Sequence, residues 1–343
     1  MIASLLTLTL LILPAGDNFD EIDPVAAKVD VPALIHVRTD KDVAAVRQRL
    51  IAFIWKKEGK LPASADVVRK EIEVPRVVAG AAATCETLTI SMDLGFKAVV
   101  YHLRPAKPNG RLAIFHQGHA DLWTGGAVET TRFFLDRGYA VLDFQMPLLG
   151  DNKALAPPGL NNHDDMAKLA TPELEPIKFF LEPIAVALNH ALAAHHYDDV
   201  IMVGLSGGGW TTTLYAAIDP RVRVSFPVAG TLPDYLRIRD AGRDRGDWEQ
   251  YHPPLYAIAN YLDLYVLGSH GNNRRQRQIL NKYDSCCFAG VGYRTYEKHL
   301  AKVVADAGPG HFDVFLDDSH RDHKVSDPIL KNAIAPLLDP RPR

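Results

Sequence analysis

Val200-Ile201-Met202-Val203-Gly204-Leu205-Ser206-Gly207-Gly208, followed by the largely apolar stretch Trp210 to Ile218, decides how the rest of the chain is read. Val200 to Gly204 is a short unbroken apolar run, the pattern of a strand buried on both faces of a parallel sheet. The serine then falls between glycines where strand passes into helix. A side chain at either flanking position would collide with neighbouring backbone, so this spacing predicts a sharp turn that exposes Ser206 Oγ. The N–H of Gly207, at the helix start, would face negative charge developing on a bound oxygen. A serine that merely caps the helix is the plainer alternative.

Working outward, helices alternate with short apolar strands. A helix from about Val128 to Arg137 leads into a strand at 139–144, and a helix over Ile177 to His195 leads into the strand at Val200. Beyond the serine come a strand at 222–228, an irregular Asp/Arg/Pro-rich segment at 230–254, a strand at Leu262 to Leu267, and a helical stretch from Arg274 to Lys282. A helix at 293–306, a strand at 311–316 and a last helix at 327–338 follow. Upstream, strands are expected at 67–78, 86–92, 97–103 and 111–116, with Asn109-Gly110 marking a hairpin between the last two. An amphipathic helix at 42–55, with Asp40 as its N-cap, precedes them. Antiparallel strands first and parallel units afterwards predict a mixed, mostly parallel sheet of about eight strands with helices on both faces and an N-terminal extension.

The chain has 343 residues, a net charge of −3 and 47% hydrophobic residues, which suits a folded protein and offers no basic footprint for nucleic acid. One local basic run, Arg274-Arg275-Gln276-Arg277, reads as a solvated helix face. Three cysteines, Cys85, Cys286 and Cys287, are too few for a disulfide scaffold and lack zinc-site spacing. They read either as buried small hydrophobes or as one bridge from Cys85 to the adjacent pair. Residues 1–14 form an apolar run followed by Ala15-Gly16 and acidic residues, the pattern of a secretory signal lacking its basic start and too short for a stable membrane span. An exported protein is expected, or a cytoplasmic one if that run is a buried segment. The expected organisation is a signal at 1–16, an extension at 17–79 and a catalytic unit at 80–343 with a lid-like insertion at 230–258.

From Glu86 to Leu338 the chain resembles the α/β-hydrolase superfamily, on the strength of Gly204-Leu205-Ser206-Gly207-Gly208 in its strand–turn–helix context. The resemblance implies a nucleophile after the fifth strand and the order serine, acid, histidine. A serine hydroxyl is a weak nucleophile, so a histidine must take its proton and a carboxylate must orient that histidine. Two histidines, His320 and His323, lie just before the last helix; His323 is preferred because it stands nearer the helix start. Asp284 is the only carboxylate between Gly268 and Glu297 and is the preferred acid. It stands far from the strand expected at Leu262, and Asp234 is the alternative. His116-Gln117-Gly118-His119 resembles the superfamily's histidine-glycine oxyanion motif, with the N–H of His119 favoured and that of Gln117 next. His116 and His119 have H-x-x-H spacing, but on a strand end and loop this gives no metal site. Asp143, Met146-Pro147 and Gly150-Asp151-Asn152 would share the rim of the sheet.

The implied activity is hydrolysis of a small-molecule carboxylic ester through an acyl-enzyme, with no metal or organic cofactor and no nucleic-acid partner. An amidase or peptidase on the same machinery and a noncatalytic binding protein are the alternatives.

Overall fold

The computed structural model describes residues 19–63, 66–124, 126–237 and 245–338. The expected signal at 1–16 and part of the expected insertion, 238–244, lie outside them. Nine strands form one sheet in the order β1-β2-β3-β5-β4-β6-β7-β8-β9. β1 (Val67–Ile72), β2 (Ala82–Ser91) and β3 (Lys97–Pro105) pair antiparallel, and β3 pairs antiparallel with β5 (Ala140–Phe144). From there on every pairing is parallel, through β4 (Arg111–His116), β6 (Asp199–Leu205), β7 (Val222–Val228), β8 (Arg275–Asn281) and β9 (His311–Asp317). β1 is an added edge strand, so Ser206 follows the sixth strand rather than the fifth. It carries Arg69, Lys70 and Glu71 outward, charges that discourage pairing with another chain.

Six longer helices surround the sheet: α1 (Asp40–Ile54), α2 (Gly126–Leu135), α3 (Lys178–Ala194), α4 (Gly207–Ile218), α5 (Tyr261–Ser269) and α6 (Glu297–Ala307). Successive strand residues enter opposite layers, as the pleat requires. Leu112, Ile114, Val200 and Met202 join one core with α1, α3, α4, α5 and α6, whereas Ala113, Phe115, Ile201 and Val203 join the other with α2 and the C-terminal helix. Among the described residues no helix is long and apolar enough to cross a membrane.

Several local expectations are corrected. The cap of α1 is Thr39, which accepts from Asp42 N at 3.1 Å while Asp42 accepts from Thr39 N at 3.0 Å. No hairpin forms at Asn109-Gly110: β3 and β4 are both bonded to β5, and the turn serves a crossover. The largest reversal concerns 261–281, where the expected strand is the helix α5 and the expected helix is the strand β8. Every residue of α5 is buried, so no amphipathic stripe marks it as helical. In β8 the buried Gln276 donates to Ser225 Oγ at 3.1 Å, and Gln278 donates to Thr231 O at 2.8 Å while accepting from Tyr296 OH at 2.6 Å. These polar residues read as helix surface, yet they lie in the interior, where Gln278 is bonded at both ends and Gln276 through its Nε2 alone among the described residues. The basic run is likewise no solvated helix face. Arg274 is buried and donates to the carbonyls of Ala216, Val222, Leu267 and His270, and Arg277 makes a two-point pair with Asp313. Cys286 and Cys287 are joined to each other and Cys85 is free and buried, so no bridge runs from Cys85 to that pair.

Candidate active site

At the carboxyl ends of the parallel strands, register fixes what can meet. His116 lies opposite Gly204, Leu205 opposite Val228, Val228 opposite Ile279, and Asn281 opposite Asp317. The loops after β4, β6, β8 and β9 therefore open on one edge, where open α/β sheets bind ligands.

Ser206 has φ 58° and ψ −124°, in the left-handed half of backbone space that a non-glycine residue enters only when its surroundings impose it. Its side chain makes no cap bond to α4, which removes the helix-capping alternative. Two glycines show why the turn closes here. A Cβ on Gly204 would stand 2.0 Å from Gly208 O, and one on Gly118 would stand 2.6 Å from Ser206 Cβ and 2.7 Å from Leu205 O. The loop after β4 thus lies directly on the serine turn.

Two N–H groups of that loop are already engaged: Gln117 N donates to Phe144 O at 3.0 Å and Gly118 N to Gln117 Oε1 at 3.1 Å. Gln117 therefore drops out as an oxyanion donor. The His119 ring and Met146 Cε crowd the Cα of Gly207. His116 is buried, bonds Gln117 O through Nδ1 at 2.9 Å and stacks on Phe144; burial pushes its pKa down to about 4, so the ring is neutral at physiological pH.

Asp284 stands three positions past Asn281, the end of β8. The helix expected between strand and acid does not exist, and the acid lies beside its strand. The carboxylate is buried and well satisfied. Oδ1 accepts from Cys286 N at 2.8 Å and Cys287 N at 3.1 Å; Oδ2 accepts from Asn281 Nδ2 at 3.2 Å and lies 2.8 Å from His323 Nδ1. Since a carboxylate so bonded accepts, His323 Nδ1 carries the proton and Nε2 keeps a lone pair. Nε2 is buried and has no hydrogen-bond partner among the described residues. Asn281 Nδ2 also reaches Lys324 O at 3.1 Å, and Ser285 N donates to Arg321 O at 3.0 Å, so the acid loop and the histidine loop are stitched together.

His320 is differently placed. Its Nδ1 accepts from Asp322 N at 3.1 Å and its Nε2 lies 3.1 Å from Asp317 Oδ2. Asp317 in turn receives Ser319 N at 3.0 Å and the Ser326 hydroxyl. Asp234 opens a short 3-10 turn, and among the described residues no hydrogen bond joins it to His320 or His323. Asp143 does not reach the rim: it is fully buried, receives Thr131 Oγ1 at 2.9 and 3.0 Å, and burial raises its pKa to about 8.

Sequence reasoning missed a second group beside Gly207. His119 Nε2 lies 2.6 Å from Asp247 Oδ2 and 3.2 Å from His163 Nδ1, and His163 Nδ1 lies 3.0 Å from Glu249 Oε1. Burial works against a charged His163, but the Glu249 charge and bonds from Asp247 and Glu249 push its pKa up to about 10. Asn162-His163-Asp164-Asp165 is an isolated polar stretch, and only tertiary contact joins it to residues more than eighty positions away.

No protein-family model matches the chain, and no curated protein matches it in sequence. Solved structures do match. Acetyl xylan esterase 1 from Thermoanaerobacterium sp. JW/SL YS485 is 14% identical with a TM-score of 0.59, covering 94% of this chain and 100% of that one. An acetyl xylan esterase from Paenibacillus sp. R4 is 14% identical at 0.56, covering 86% and 93%. A glucuronoyl esterase from Solibacter usitatus is 14% identical at 0.56, covering 85% and 91%. Strand order, the strained serine turn and these likenesses converge on one architecture: the chain has the α/β-hydrolase fold.

Proposed function

We propose that the protein is a serine hydrolase acting on carboxylic esters. The observation that carries this reading is the Asp284–His323 pair, with Nδ1 held at 2.8 Å and Nε2 left unpartnered, on the same sheet edge as the strained Ser206 turn. Ser206 Oγ attacks the ester carbonyl as its proton passes to His323 Nε2, and the carbonyl electron pair moves onto oxygen. The N–H groups of Gly207 and His119 hold that oxyanion. On collapse the C–O bond to the alcohol breaks, and the imidazolium returns the proton to the leaving oxygen. Water then attacks the acyl-enzyme by the same route, with His323 as base, and frees Ser206. Asp284 fixes the tautomer and stabilises the imidazolium without itself taking the proton.

Two of the named neighbours are acetyl xylan esterases and one is a glucuronoyl esterase, which makes acetylated sugars the first substrates to test beside short-chain esters and long-chain lipids. The residues at 1–16 support export, and those at 230–258 support an insertion over the site. Turnover of a 4-nitrophenyl ester by wild type, lost in a folded Ser206→Ala protein, is the expected result; unchanged turnover in that variant overturns the reading. Anilide cleavage as fast as cleavage of the ester of the same acyl group would favour an amidase instead.

A further inference from the structure

We propose that His119, His163, Asp247 and Glu249 form a binding site for a divalent cation of the zinc class. One ligand atom from each lies within 4.8 Å of all the others. A zinc ion with N and O ligands at 2.0–2.1 Å has tetrahedral edges of about 3.3 Å. The separations around this cluster, 2.6 Å for His119–Asp247, 3.0 Å for His163–Glu249, 3.2 Å for His119–His163 and 3.5 Å for His163–Asp247, bracket that value.

The orientation of His163 adds an independent argument. Its Nε2 lies 2.9 Å from the Pro147 carbonyl, which can only accept, so Nε2 carries a proton and Nδ1 is the nitrogen turned into the cluster, where a cation would take the place of its proton. A backbone carbonyl on the far nitrogen is the usual support for a metal-bound imidazole. Glu249 supplies a second observation. It is fully buried, its Oε1 faces His163, and its Oε2 has no hydrogen-bond partner among the described residues. A buried carboxylate oxygen without a partner is costly, and a cation at the cluster would satisfy it. The mix of two imidazoles and two carboxylates suits zinc better than calcium or magnesium, which favour all-oxygen sites.

Four protein ligands close a tetrahedral ion, so the cation would hold structure rather than present a bound water. It would tie three separate segments together: the loop after β4, the short helix His163–Met166, and the segment carrying Asp247 and the helix Trp248–Tyr251. The His119 ring lies against Gly207, so the clamp would fix the backbone that presents the His119 N–H. The metal site stands apart from the esterase reading, and only its consequence for turnover rests on that reading.

The test uses the full chain, stripped with chelator, desalted and titrated with zinc chloride against a chromophoric competitor. One zinc per chain is expected, with the thermal midpoint raised by about 4 °C in the loaded protein. Asp247→Ala, at a half-exposed position, should weaken zinc binding at least ~100-fold with the circular dichroism spectrum unchanged, and Glu249→Gln should do the same if it folds. Cys286→Ser should bind zinc as wild type does, which separates this site from the Cys286, Cys287 and His323 group. Folded wild type that binds no zinc at tens of micromolar overturns the proposal, as does undiminished affinity in Asp247→Ala or loss of binding in Cys286→Ser. A hydrogen-bonded ion-pair cluster filled by protons alone would give the first of those results.

Discussion

Two histidine–aspartate pairs lie side by side at the ends of β8 and β9, and only one is built to move a proton. His323 gives Nδ1 to Asp284 and leaves Nε2 unpartnered. His320 spends Nδ1 on the Asp322 N–H, and its Nε2, without a hydrogen bond among the described residues, lies 3.1 Å from Asp317, a carboxylate that accepts from Ser319 and Ser326. Both imidazoles are mostly buried and both face an acid, so proximity to a carboxylate does not distinguish them. The distinction lies in Nδ1: in His323 it donates to the acid and leaves the Nε2 lone pair for a proton, whereas in His320 it accepts from a backbone N–H, so the ring's own proton sits on Nε2. Asp284–His323 is arranged for proton transfer, whereas Asp317–His320 is arranged to brace the loop that carries His323.

The sharpest way to break the comparison is to truncate each histidine. His323→Ala should lower kcat for a nitrophenyl ester by about 10⁴- to 10⁶-fold, and His320→Ala by less than about tenfold. Equal losses, or a larger loss in His320→Ala, would end the assignment. Next in size, Asp284→Asn should cost about 10⁴-fold, because the amide would favour the wrong tautomer. Asp317→Asn should leave kcat within about tenfold while lowering stability by about 1–3 kcal/mol in urea unfolding, since the Ser319 and Ser326 bonds weaken.

Acid sharpens the contrast further. Burial alone would raise the Asp317 pKa, but the bonds from Ser319 and Ser326 leave it below the ordinary carboxylate value. A carboxylate so lowered stabilises the fold above its unfolded pKa and loses that contribution as pH falls through the folded one. The stability gap between wild type and Asp317→Asn should therefore shrink as pH drops below about 4. His116, at the end of β4, behaves in the opposite chemical sense with the same outcome. Its folded pKa lies near 4, below the ordinary imidazole value, so the unfolded chain binds the extra proton first. Wild type should lose on the order of 3 kcal/mol between pH 6.5 and 4 from this group, and His116→Asn should flatten that limb of a pH series of urea melts. The smallest effect concerns Cys85, whose thiol pKa burial pushes up to about 12. It should resist iodoacetamide in folded protein and react on unfolding.

How much of this could be read from the residues varies with what carries the signal. The serine turn was legible because glycine spacing and an unbroken apolar strand are local properties. Most helices and strands from Ala140 to Val228 were legible for the same reason, each declaring itself in its own window. The 261–281 region was not. A helix buried on all sides loses the 3.6-residue stripe, and a strand whose glutamines are buried in the interior looks polar. That inversion made Asp284 look remote from its strand, when it stands three positions beyond it. Asn109-Gly110 misled because a turn motif fixes a turn and not which strand is paired afterwards. The His119, His163, Asp247 and Glu249 cluster was invisible, since its members come from three segments that only the fold brings together.

Labelling with a fluorophosphonate probe, followed by peptide mass spectrometry, tests the central claim most directly. Wild type and His320→Ala should each carry a single adduct on Ser206, formed at similar rates, and His323→Ala should be labelled at least ~100-fold more slowly. No adduct on Ser206 in folded wild type, or equally fast labelling in His323→Ala, would contradict the account.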